Sequence, residues 1–97
     1  VLIDHTPPVV TIAEPRKSAA GVVLEFEAVD AASPLRHAEY SVDAAGWVPV
    51  SPADGVIDSP GERFLLELRN LRPGEHLVVV RAIDSAGNAG LAKVVLR

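Results

Sequence analysis

The 97 residues, 48% of them hydrophobic, are enough for one domain with a single core and too apolar for a disordered tail. A net charge of −4 with no basic run argues against nucleic acid and against an anionic membrane surface. No apolar run approaches the ~20 residues that span a bilayer, and the absence of cysteine removes disulfides and thiolate metal sites. With only four aromatics, aliphatic side chains must fill most of the core. No basic segment followed by an apolar one opens the sequence, so no signal peptide is expected within it. A chain without methionine is expected to be a module excised from a larger multidomain protein, or a processed product.

In chain order, residues 1–8 read as a linker and leading segment, stiffened by Pro7 and Pro8. Residues 9–97 read as a single domain. Val9 to Ala13 is a short strand with Val10 and Ile12 on one face, and Glu14 to Ser18 is a polar turn. Gly21 to Val29 alternates, with Val22, Leu24, Phe26 and Ala28 on one side and Glu25 and Glu27 on the other, which marks a strand with one wet face. Asp30 to Pro34 breaks it. Arg36 to Asp43 resumes the alternation with Ala38, Tyr40 and Val42 inward and Glu39 and Ser41 outward. Asp43 to Gly46 is a hairpin loop, and Trp47 to Val50 returns as an edge strand marked by Pro49.

Ser51 to Glu62, rich in proline, glycine and aspartate, reads as a long surface connection. Arg63 to Arg69 alternates again with Phe64, Leu66 and Leu68 inward. Leu71 to Gly74 is turn chemistry, Leu77 to Ala82 a strand apolar on both sides, Asp84 to Asn88 a second turn, and Ala89 to Leu96 the last strand. Seven short strands separated by turn signals, with no helical pattern, predict an all-β fold built as an antiparallel β-sandwich.

The chain resembles the fibronectin type III and bacterial immunoglobulin-like modules over nearly its whole length. The residues that carry the resemblance are Asp4, Thr6, Pro7, Pro8 and Val10 at the start, Tyr40 to Asp43 with Trp47, and Leu71, Pro73, Gly74, Glu75 and His76. Val78, Val80, Ala82, Asp84, Ala86, Gly87 and Asn88 complete the set. The resemblance implies a seven-stranded Greek-key, immunoglobulin-like sandwich and a secreted, periplasmic or cell-surface setting in a bacterium. It also implies that His76 stands where many such domains carry a corner tyrosine, with its imidazole bonding back to the preceding loop. Asp30 and Asp84 are then expected at one pole, with Asp4 and Thr6 beside them at the junction to a preceding domain.

Several side chains are candidates for a site. Asp4, Asp30, Asp84 and Asn88 offer oxygens for a calcium ion, although short polar residues at these points equally cap turns. His5, His37 and His76 sit on separate segments without metal-ligand spacing. No nucleophile motif occurs, and Glu25 and Glu27 project from one strand face rather than into a cleft, so no catalytic residue is assigned and no cofactor is expected. Tyr40 and Trp47 could stack on a sugar ring as an aromatic platform, or face each other across the hairpin and fill the core. If Val78, Val80 and Ala82 point inward, Leu77, Val79 and Ile83 line the other face with Leu91 and Val95, unless Arg36, Arg81 and Lys93 lie across them.

The expected function is therefore a non-enzymatic spacer or docking module that packs through this strip against a neighbouring domain or another protein. An accessory carbohydrate- or polymer-binding module is the second reading, and a stand-alone hydrolase the last. Neither nucleic acid nor membrane insertion is expected.

Overall fold

A strand that is apolar on alternate residues must bury one side, and two sheets meet that need by facing each other. The computed structural model describes residues 7–19, 21–30, 33–52, 61–69 and 71–97. Among them are eight strands and no helix: β1 (Val9–Ile12), β2 (Arg16–Lys17), β3 (Gly21–Val29), β4 (Leu35–Val42), β5 (Val48–Val50), β6 (Gly61–Arg69), β7 (His76–Asp84) and β8 (Ala89–Leu96). The protein is all-β, with two antiparallel sheets.

In the first sheet β3 is central. It pairs along its whole length with β6, and β1 and β2 follow one another along its other edge. The second sheet runs β5–β4–β7–β8. Segment 14–18, expected as a turn, contains β2, in which Arg16 and Lys17 pair with Val23 and Val22. Pro15 has no N–H to donate, which accounts for the break between β1 and the resumed pairing. Residues 51–62, expected as one connection, already enter β6 at Gly61, and Pro52 makes an isolated bridge to Phe64. A register shift between Leu35 and His37 leaves Arg36 as an extra residue in β4.

The two inner faces share one core. Leu24, Phe26, Ala28, Phe64, Leu66 and Leu68 come from the first sheet, and Leu35, Ala38, Val78, Val80, Ala82 and Leu96 from the second. Phe26 and Phe64 are cross-strand partners whose rings stack with centroids 4.8 Å apart, so both phenylalanines are used at the centre. Val10, Ile12, Tyr40 and Val42 close the margins.

One close approach ties the sheets at their edge. Pro8 is buried, and a β-carbon on Gly90 would overlap the Pro8 carbonyl oxygen, so only glycine lets the chain leading into β1 lie against β8. Removing a ring from the core and an aliphatic from the outside should have unequal effects. Phe26→Ala should lower the unfolding free energy by about 3–5 kcal/mol. Leu65→Ala, at a site 53% exposed on the outer face of the first sheet, should change it by less than about 0.5 kcal/mol in urea denaturation.

Candidate functional site

Because β7 turns Val78, Val80 and Ala82 into the core, its two-residue period sends Leu77, Val79, Arg81 and Ile83 to the far side of the sheet. The pairs Leu77–Val95, Val79–Lys93 and Arg81–Leu91 place Leu91, Lys93 and Val95 of β8 on that same side. Leu77, Leu91 and Val95 are 40%, 58% and 45% exposed, while Val79 and Ile83 are half-buried. All five aliphatic residues expected in the strip lie on one outer face.

Arg81 occupies the middle of this face. Its Nη2 donates to Glu39 Oε1 at 2.6 Å, across the β4–β7 ladder, and its guanidinium lies 3.9 Å over the Trp47 ring centroid. Stacking on the indole commits the cation to one side instead of spreading its stem over the aliphatics. Arg36 and Lys93 are exposed. A shallow groove of about 260 Å³ runs between Trp47 and β7, lined by Ser41, Ala44, Gly46, Trp47, Leu77 and Val79. Ser41 has outward parity, yet it is buried at the floor of this groove.

The two candidate aromatics are not brought together. Tyr40 pairs with Val48, not Trp47, and packs against the core beside Val80. Trp47 falls one residue away and therefore on the other side of the sheet, where Arg81 meets it. The expectation that Tyr40 and Trp47 face each other is corrected on this ground, and they form no joint platform.

His76 is 14% exposed and bridges two connections. Its Nδ1 lies 2.7 Å from Asp43 Oδ2, and its Nε2 meets the Arg72 carbonyl oxygen. Asp43 also accepts the Leu77 amide on Oδ1 at 2.8 Å. The Arg72 carbonyl and the Asp43 carboxylate hold the imidazole above its ordinary pKa. The His76 and Leu77 donors hold the Asp43 carboxyl below the ordinary value. These contacts fix a turn in which Asp43 and Ala44 have φ of 51° and 59°, the left-handed region that a side chain disfavours.

The calcium candidates are placed differently from one another. Asp30 and Asp84 are both buried near the ends of β3 and β7, joined through Ser33, whose N–H donates to Asp30, and Pro34, whose carbonyl accepts from Ser85. Asp84 receives the Ala86 and Asn88 amides on Oδ1 and the Asn88 side chain on Oδ2, so its oxygens organise the β7–β8 turn. Asp4, Thr6 and His5 lie outside the described residues. His37 sits on the outer face 3.5 Å from Glu39. Among the described residues no group of three or more His, Asp or Glu side chains could hold a metal.

Sequence reasoning named Arg81 only as a cover for the strip, Glu39 only as outward and Asp43 only as a loop residue. It missed the Arg81–Glu39, Arg81–Trp47 and Asp43–His76 contacts. Asp43 and His76 are 33 positions apart, and only the β4–β7 register shows that their ends meet. No protein-family model matches the chain, and no curated protein matches it.

Two outcomes follow from the Asp43–Ala44 turn. Ala44→Gly should raise the unfolding free energy by about 0.5–1 kcal/mol in denaturant titration, because relief of the left-handed alanine exceeds the added entropy of the unfolded chain. Stability should also vary with pH around the His76–Asp43 pair. The raised histidine stabilises the fold fully below its ordinary value of about 6.5 and loses that contribution as pH rises through the raised value. The depressed aspartate contributes above its ordinary value of about 3.9 and loses that contribution as pH falls through the lowered value. Thermal melts should therefore show a maximum between those two ordinary values, and His76→Gln should flatten the alkaline limb.

Proposed function

We propose that the chain is a non-catalytic docking module, immunoglobulin-like or fibronectin type III-like, of a larger extracytoplasmic bacterial protein. It packs against a neighbouring domain or another protein through the outer face of β4, β7 and β8. The observation that carries this reading is the contrast between the two outer faces. On the first sheet the ion pairs Arg16–Glu25, Arg63–Glu27 and Arg69–Glu67 are interleaved with the exposed Val9, Val29 and Leu65, Val9 facing Val29 across β1 and β3. On the second, Leu77 and Val79 share a groove with Trp47, Val95 pairs with Leu77, and Leu91 pairs with Arg81. Arg81 and Glu39 neutralise each other, and Lys93 is the remaining exposed charge of β7 and β8 on this face. Surface ion pairs interleaved with exposed aliphatics are ordinary, whereas aliphatics grouped beside a Trp that is stacked on an Arg have the composition of an interface core.

Support for the fold family comes from the strand order. β6 returns past β4 and β5 to lie beside β3, as a Greek key requires, and β1 with β2 counts as one edge strand interrupted at Pro15. The bacterial and extracytoplasmic parts rest on the sequence resemblance. Glu25 and Glu27, the paired carboxylates of the sequence, are engaged by Arg16 and Arg63 on an open face, which favours a non-catalytic reading. The separation of Tyr40 from Trp47 disfavours a sugar platform.

The test compares amide exchange of β7 and β8 in the isolated chain and in its parent protein. Protection of the strip should appear in the parent, and Leu77→Asp combined with Leu91→Asp should weaken that contact by about 2 kcal/mol or more. The same pair of changes should leave the isolated chain within about 1 kcal/mol of its original stability, because both sites are exposed. Equal exchange in the two contexts sinks the docking role.

A further inference from the structure

His76 touches two connections that are far apart in the chain. Asp43 belongs to the turn after β4, and Arg72 to the connection between β6 and β7. A carboxylate and a peptide carbonyl only accept hydrogen bonds, so the ring satisfies both partners when each nitrogen carries a proton. A neutral ring has one N–H. Its other nitrogen then sets a lone pair against an oxygen lone pair, and that contact has to open. The carboxylate is the stronger acceptor, so the proton that remains is the one on Nδ1, and the Arg72 carbonyl is released.

We propose that protonated His76 is a clasp that fastens the β6–β7 connection to the β4–β5 turn, and that transfer of the Nε2 proton to water frees the connection from Leu71 to Glu75. The charged groups around the ring come from each element packed on it. Asp43 comes from the β4–β5 turn, and Arg72 and Glu75 from the connection itself. Arg97 follows β8 and lines a groove of about 160 Å³ beside the ring with Leu71, Arg72, Pro73, Gly74 and Leu96. Asp43 is in direct contact, whereas Arg72, Glu75 and Arg97 are exposed and screened by solvent and salt. The raised histidine pKa agrees in direction with this arrangement and moves the release point from mildly acidic pH toward neutrality. The clasp is a property of this chain alone and holds whether or not the outer face docks.

The experiment is an NMR titration of the folded chain from mildly acidic to mildly alkaline pH, following the His76 ring and the backbone amides of residues 71–77. His76 should titrate above the ordinary imidazole value of about 6.5, keep its Nδ1 proton in the neutral form, and carry the amides of Leu71, Arg72, Gly74 and Glu75 with the same midpoint. Asp43→Asn should move both midpoints down toward the ordinary value, and asparagine tolerates the left-handed turn at that position. In His76→Gln the shared transition of the loop amides should vanish. Loop amides that stay still at the His76 midpoint overturn the clasp. So does a His76 midpoint at or below the ordinary value, or a neutral ring protonated on Nε2. The wild-type titration decides the matter even if a variant fails to fold.

Discussion

A strand in the middle of a sheet has two sides, and this protein has one core to give them. β7 is such a strand, and its inward residues Val78, Val80 and Ala82 are completely buried. Each valine placed there contributes about 1.5–3 kcal/mol from removal of its apolar surface from water. No one-residue slip is open to it, because a slip would exchange the buried set for Leu77, Val79, Arg81 and Ile83 and bring Arg81 into the core. The registers of β4 and β8 are fixed by their pairing to β7, and through them the face that carries Trp47 and Leu91. The outward aliphatics are therefore a consequence of how β7 sits. Their number is not, since β3 has the same central position and places Glu25 and Glu27 on its outer side.

That difference separates what the fold demands from what it merely permits. Exposed pairs such as Arg63–Glu27 add little stability, typically under about 1 kcal/mol. They keep the outer face of the first sheet wet and unattractive to another protein. Nothing in the packing of the second sheet prevents the same solution there. Leu77 and Val95 face each other across β7 and β8, and Leu91 faces Arg81 further along. Lys93 between them opposes Val79, so the charges there are cations and no acid lies in these pairs. A second contact of the same sheet lies at its end, where Asp43 binds the Leu77 amide and the His76 ring, so the residue that begins the strip is also the one held by the turn.

Most of the fold was legible because alternation is strong where one face is buried. Gly21–Val29 and Ala89–Leu96 have the bounds their patterns predicted. The inward residues expected of β3, β6 and β7 are buried except Val22, which is half-buried, while Glu62 and Asp84 are buried in addition. What alternation does not encode is register across a turn. The stretch from Asp43 to Gly46 has three residues at positive φ, and the count through it decides whether Val48 or Trp47 lies opposite Tyr40. One residue is the whole difference between a paired aromatic core and a tryptophan on the outside. β2 was hidden for another reason. Two residues after a proline give no period to read, and their pairing follows from β3 already being in place. The partnership of His76 with Asp43 needed both registers at once.

The position of Trp47 bears on what kind of surface this is. The chain has a single tryptophan and two phenylalanines, and both phenylalanines are spent in the core while the tryptophan is held outside it. It is not loose there. Arg81 stacks on the ring, Glu39 anchors Arg81, and the turn leading to Trp47 is pinned through Asp43. The arrangement has a cost, because Arg81 Nε is buried without a hydrogen-bond partner among the described residues, a burden of about 1–3 kcal/mol. Cation–π contact of about 0.5–2 kcal/mol and a charge-assisted hydrogen bond to Glu39 offset it. Trp47, Arg81 and Glu39 thus hold one another in place on this face. Side chains held in that way lose little freedom on contact, so the docking role proposed for this face would suit a fixed junction better than an adaptable, promiscuous one.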